Sequence, residues 1–273
     1  MKLQNYILLV ITALCMHINF ATAQNQSDSV AVSATEEQSV SQHESEAEKA
    51  YRNGNFAESI KLYEAEIHQN KLTNRESPTL YYNLGNAYFR DNQIAKAIVN
   101  YERALLLDPG DSDIRHNLRF AKTRIEDKID STDNFFVTQW IRGLQNLFSG
   151  NAWATMGIAL FILFIVSTGV YMISSRLTIR KVSFYVSLVL LLLVIVSNVF
   201  AFKQKDKIVN RSTGIVMSAS ASIYTSPDAH SQELFRLHEG AKVRIKRTEG
   251  NWFEIEIANG SVGWLQKKNI ETI

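Results

Sequence analysis

The sequence predicts a multi-domain membrane protein: an all-α helical repeat, a two-helix transmembrane hairpin and an all-β small barrel. Three observations carry this reading. Apolar residues recur with helical spacing, and with an internal repeat, across residues 43–130. Two uncharged apolar runs, Ala152–Ile173 and Val182–Phe202, are each longer than the roughly 20 residues a spanning helix needs. From residue 213 onward, short stretches of alternating apolar and polar residues are broken by turn residues.

In chain order, residues 1–23 read as a secretory signal peptide. Lys2 supplies the basic start, an apolar run covers Ile7 to Phe20, and Ala21-Thr22-Ala23 gives a small-x-small cleavage pattern. The rival reading is an uncleaved anchor, but the run is short and His17 interrupts it. Cys15, the only cysteine, follows Leu14 inside the run, the wrong place for lipidation. Cleavage after Ala23 then leaves no thiol, which excludes disulfides and thiolate metal sites. Residues 24–42, rich in Ser, Gln and Glu and without an aromatic residue, read as a flexible leader.

Residues 43–130 carry the repeat. NGNFAESIKLYEAEI (53–67) aligns with DNQIAKAIVNYERAL (91–105) at an offset of 38, through Phe56/Ile94, Ala57/Ala95, Ile60/Ile98, Tyr63/Tyr101 and Glu64/Glu102. Asn83-Leu84 and Ala87 match Asn117-Leu118 and Ala121 at an offset of 34. A helix pair of that length resembles the tetratricopeptide (TPR) unit. The second copy fits its pattern at Tyr81, Leu84, Gly85, Tyr88, Ala97, Tyr101, Ala104 and Pro109. The first fits at Ala47, Ala50, Ser59 and Tyr63, with extra residues in HQNKLTNRESP, and the third is a single capping helix over 112–128. Gly85 and Ala97 are assigned to a close helix crossing, with Tyr88 and Tyr101 filling the space around it. Ser77-Pro78 predicts a helix start, and Asp108-Pro109-Gly110-Asp111 a helix end followed by a second cap.

Segment 131–151 is amphipathic. Phe136, Val137, Trp140, Ile141, Leu144, Leu147 and Phe148 share one stripe, with Thr138, Arg142, Gln145 and Asn146 largely opposite. Such a helix suits a membrane interface or the end of the repeat. The connector SSRLTIRK (174–181) is too short for a domain, so the two apolar runs form a hairpin. Its Arg176, Arg180 and Lys181 favour a cytoplasmic loop, although Lys203, Lys205 and Lys207 flank the far end. The signal peptide breaks this near-tie. Both the N-terminal and C-terminal domains are expected in the periplasm, anchored to a bacterial inner membrane.

Six strands are expected from TGIVMS, SIYTS, ELFRLH, AKVRIKR, WFEIEIA and SVGWLQ, with Asn259-Gly260 as a type I′ hairpin turn. Region 203–273 resembles a bacterial SH3 domain through His238-Glu239-Gly240, Gly250-Asn251-Trp252, and Asn259-Gly260 followed by Gly263-Trp264. The order of parts, together with LYYNLGNAYFR, resembles the Bacteroides aerotolerance (Bat) family. That resemblance implies an inner-membrane stress-tolerance system with von Willebrand A-type membrane proteins and a MoxR-type ATPase, and hence protein partners.

The chemistry points to binding. The net charge is only +2, so nucleic acid is not an expected partner; residues 24–150 hold 14 Lys+Arg against 19 Asp+Glu, and residues 203–273 hold 11 against 8. The six histidines, at 17, 43, 68, 116, 230 and 238, show no metal-ligand spacing, and no phosphate-binding loop, GxSxG or HExxH occurs. No catalytic, cofactor-binding or metal residue is assigned, and the chain reads as non-enzymatic. Acidic residues of the repeat are expected on solvent faces, with Glu64 and Glu102 as scaffold positions.

The groove of the repeat is expected to present Tyr82, Asn86, Phe89 and Arg90 from the second unit, Tyr51 and Arg52 from the first, and His116 and Phe120 from the cap. Asn83 resembles the asparagine of TPR carboxylate clamps, but Glu44 stands where the clamp has a lysine. The alternative is that Asn83 and Asn117 bond neighbouring helix ends. In the SH3-like part, Tyr224, Trp252 and Trp264 are candidate ligand contacts, Trp252 at the surface and Trp264 in the core, with peptidoglycan as a candidate ligand. Asp28-Ser29-Val30 and Asp130-Ser131-Thr132 resemble a short O-glycosylation motif. Two readings follow: a membrane-anchored adaptor assembling a Bat-type complex, and a cell-wall sensor acting through the SH3-like domain.

Overall fold

The computed structural model describes residues 45–73, 75–128 and 136–273. The signal peptide, the leader, Glu44 and both glycosylation-like motifs lie outside them. Contacts divide the chain into two compact units. One comprises Glu46–Thr155 and Ser197–Ile273, and the other, among the described residues, is centred on Met156–Val196.

The first unit begins with five helices, α1 (Glu46–Arg52), α2 (Phe56–Leu72), α3 (Pro78–Arg90), α4 (Ile94–Leu107) and α5 (Ser112–Lys122). Ser77 accepts from the Leu80 amide and Pro78 opens α3, while Asp111 accepts from the Asp113 and Ile114 amides to start α5. The third-unit helix stops at Lys122 rather than running to 128. The chain beyond it leaves the helix and places Ile125 and Asp127 against the C-terminal sheet. Tyr63, Tyr81, Leu84, Ala97, Ile98 and Tyr101 are buried in one core. At the α3–α4 crossing a Cβ on Gly85 would lie 2.7 Å from the Tyr101 ring. That ring is pinned, because the Tyr101 hydroxyl donates to Asn86 Oδ1 at 2.7 Å.

The C-terminal strands are β1 (Thr213–Val216), β2 (Ser220–Tyr224), β3 (Glu233–His238), β4 (Lys242–Glu249), β5 (Trp252–Glu256), β6 (Val262–Gln266) and β7 (Ile270–Thr272). They form one seven-stranded antiparallel sheet in the order β3-β2-β6-β5-β4-β1-β7. The seventh strand escapes a reading by alternation because three residues are too few to show a period. The β5–β6 turn is not type I′, which needs positive φ at both central residues. Gly260 takes φ +88°, whereas Asn259 is not among the positive-φ residues. The Gly260 amide donates to the Ile257 carbonyl and the Ile257 amide to the Ser261 carbonyl, so the connection has three residues and a bulge at the glycine.

The sheet is docked on the second helix of the second repeat. Ile215 and Ile273 are buried in the helical core, with Met217 packed beside them. Glu102 on α4 is only 6% exposed, which corrects the solvent-face expectation for this residue. Its two carboxylate oxygens each take an ammonium at 2.7 Å, Oε1 from Lys122 and Oε2 from Lys242. Burial alone would raise the Glu102 carboxyl. The charges of Lys242 and Lys122, and their hydrogen bonds, outweigh it and hold the group at about 2. Arg103 donates to Glu271 at 2.8 Å and to the Thr272 carbonyl at 3.1 Å, and Arg211 pairs with Glu76 at 2.9 Å. Asp127 accepts from the His238 amide at 2.6 Å and holds its ring Nδ1 at 2.9 Å. That hydrogen bond raises the His238 pKa.

Amphipathic helix α6 (Phe136–Gln145) precedes two long helices, α7 (Gly150–Ile173) and α8 (Leu177–Asn210). Both long helices are apolar enough to cross a membrane. Only Ser174, Ser175 and Arg176 separate them, since nothing in Leu177–Lys181 interrupts a helix, and α8 continues well past Phe202. Within the second unit Ser167 Oγ donates to the Ser183 carbonyl at 3.2 Å and Ser187 Oγ to Ser167 Oγ at 3.0 Å. These are small polar contacts of the kind that join helices in lipid.

Candidate functional site

The helical repeat presents a strip of two aromatic and guanidinium clusters, which adjoin in sequence at Phe89-Arg90. Tyr51, at the end of α1, meets the Phe56 ring edge-on at 5.5 Å. Arg90, at the end of α3, holds its guanidinium 5.1 Å from the centre of the Phe56 ring. Its neighbour Phe89 packs on Phe120 of α5 at 5.4 Å, and Arg124 lies 5.6 Å over the Phe120 ring. Contacts of this kind contribute about 0.5–1 kcal/mol each at exposed sites. Phe120 is still 48% exposed, so the strip is open to a partner.

Beneath it runs a polar network. Asn117 Nδ2 donates to the Tyr82 hydroxyl at 3.0 Å and to Asn86 Oδ1 at 2.9 Å. Asn117 therefore ties side chains of the preceding unit and not a helix end, contrary to the alternative drawn from the sequence. The acceptor of Asn86 is taken twice within the stack, by Tyr101 and Asn117. Asn83 is half-buried, and Arg52 and His116 are exposed. The structure thus groups Tyr51 and Arg90 around Phe56, pairs Phe89 with Phe120, and places Tyr82 and Asn86 in the polar network. Burial and a hydrogen bond to Glu64 raise the Tyr88 hydroxyl pKa, and burial raises that of Tyr101, so both stay neutral scaffold groups.

Phe56 and Arg124 complete the strip and were missed by the sequence reading. A signal for the second was available: Arg52, Arg90 and Arg124 recur at the same offsets, 38 and 34, as the repeat.

On the sheet, Tyr224 and Trp252 meet edge-on at 5.6 Å, and both are half-buried. Tyr224 pairs in register with Trp264, which is buried as expected and covered by the Arg247 guanidinium at 5.3 Å. Arg247 also pairs with Glu254 at 3.2 Å. Tyr224 and Trp252 form a small aromatic ledge. Among the described residues, no cluster of His, Cys, Asp or Glu could hold a metal ion.

No curated protein matches the chain. Residues 218–271 match the bacterial SH3 domain, and residues 78–111 match the tetratricopeptide repeat. Both are non-catalytic interaction modules, and together they suggest protein–protein interaction or cell-wall binding.

Proposed function

We propose that the protein is a membrane-anchored adaptor whose helical repeat grips a protein partner through the aromatic and guanidinium strip. The observation that carries this is the recurrence of an aromatic and guanidinium cluster at each junction between the helical units, Tyr51 with Phe56 and Arg90, then Phe89 with Phe120 and Arg124. Rigid aromatic anchors beside arginines are the residue types that dominate interface energy. The family resemblance supplies the partners: Bat-type inner-membrane proteins with von Willebrand A domains, in an aerotolerance or stress-response assembly. In this reading α7 and α8 form the anchor and both interaction modules lie in the periplasm.

The test is the double change Phe89→Ala with Arg90→Ala in the full chain, checked for folding by circular dichroism. Loss of one true anchor costs about 2 kcal/mol or more, roughly thirtyfold in affinity. The folded variant is expected to stop co-purifying with the neighbouring Bat-type membrane proteins. Deleting the sheet is not a usable control, because it strips Ile215 and Ile273 from the helical core and leaves Glu102 buried without Lys242. Tyr224→Ala with Trp252→Ala is the cleaner comparison. A second reading, a peptidoglycan sensor, is favoured by the Tyr224–Trp252 ledge. It gains if the ledge variant loses sedimentation with purified cell wall while the groove variant keeps every partner.

A further inference from the structure

A cavity of about 330 Å³ lies where the helical repeat, the end of the amphipathic segment, the C-terminal part of α8 and the sheet meet. Leu105, Leu106, Pro109 and Ile273 give it apolar walls, and Arg115, Lys207 and Lys242 bring positive charge. The one carboxylate lining it, Glu102, has both oxygens already held by Lys122 and Lys242. Arg115 donates to the Gly110 carbonyl at 2.9 Å, and Lys207 to Asn146 Oδ1 at 3.3 Å and Gln204 Oε1 at 3.4 Å, all neutral partners. Arg142, Lys242 and Lys203 all bear electrostatically on Lys207. Arg115 and Lys207 thus face the cavity with only neutral hydrogen-bond partners among the described residues.

Two further features point to what fills it. Gln204 and Asn146, which line it, are joined by a hydrogen bond at 3.3 Å and give it neutral polar groups beside the cations. Lys207 stands five residues beyond Phe202, the last residue of the uncharged run, which is about 7.5 Å along the same helix. A cation at that depth sits at headgroup level, and the exposed side chains of Leu144, Leu147 and Phe148 offer apolar surface nearby in the chain.

We infer that this cavity is a phosphate oxyanion site, filled from the membrane by the headgroup of an anionic phospholipid. Arg115 and Lys207 hold the phosphate oxygens, and the leucine and proline wall lies against the glycerol and upper acyl carbons. The lipid source rests on the anchored reading above; the oxyanion chemistry does not.

The test uses the full chain in vesicles of phosphatidylcholine with phosphatidylglycerol, extracted gently and examined by native mass spectrometry. Wild type is expected to keep phosphatidylglycerol in preference to phosphatidylcholine. The double change Arg115→Gln with Lys207→Gln is expected to lower that retention about thirtyfold. Lys205→Gln, exposed and off the cavity, is expected to leave it unchanged. Lys207→Gln alone, on an exposed residue, serves if the double variant misfolds, and about a fivefold loss is then expected. Displacement of the lipid by millimolar inorganic phosphate upholds the oxyanion site and moves its source to the free anion. Equal retention of both lipids by wild type, or undiminished retention in the variants, overturns the proposal. Release of the chain from membranes by alkaline carbonate would count against the anchoring, and binding of inorganic phosphate by wild type but not by the variants would still uphold the site.

Discussion

Gly85 and Glu102 are helical residues with opposite reasons for their identity. Gly85 is small because the Tyr101 ring, fixed by Asn86, occupies the space a Cβ would need. Gly85→Ala is expected to cost about 1–3 kcal/mol, since the ring cannot turn away. Thermal unfolding of the full chain in detergent checks it, and an unchanged midpoint would contradict the crossing. Glu102 is charged because two lysines converge on it. Glu102→Gln leaves Lys122 and Lys242 facing a neutral amide and is expected to destabilise by about 2 kcal/mol at pH 7, allowing for the partial exposure of both lysines. The Glu102 pKa is depressed, so its contribution is complete above about 4.5 and is lost as pH falls towards about 2. The gap between wild type and Glu102→Gln should close over that window, and a gap that persisted at pH 2 would exclude the lysine clamp as its cause. His238 runs the other way. Its raised pKa makes its contribution complete below about 6.5 and lost as pH rises through the folded value. Gly85 was legible in the sequence because the repeat pattern asks for a small residue there. Glu102 was not, because its partners stand 20 and 140 residues away and no periodicity connects them.

Helices α3, α4, α7 and α8 were legible as elements, since each shows either repeat spacing or an unbroken apolar run. Strand β7 was too short to show a pattern, and α5 ended early because contacts with the sheet outcompete another helical turn. Helix α6 shows a surface that its own unit does not cover: Phe136 is 77% and Trp140 75% exposed. An interfacial helix should therefore be wet on one side only. With Cys15→Ser as background, an environment-sensitive label at Trp140→Cys should be quenched by brominated lipid, and one at Thr138→Cys by aqueous iodide. Equal iodide quenching at the two positions would rule out a helix lying in the interface.

At the scale of the molecule, the candidate strip was partly legible because its residues follow the repeat, whereas the junction of repeat and sheet was not. Ile98 and Tyr101 share their core with Ile215 and Ile273, residues separated from them in the chain by both apolar helices. This arrangement reaches beyond binding into how the chain is made. The repeat is synthesised first, with Glu102 and part of its apolar surface uncovered, and must wait until the strands that complete it have emerged. For those strands to arrive, the intervening chain has to return to the compartment it left, so the number of crossings must be even. With α7 and α8 as the proposed anchor, a variant lacking either one would strand two halves of one core on opposite sides of the bilayer. Such a chain would be degraded as unfinished, not merely inserted the other way round.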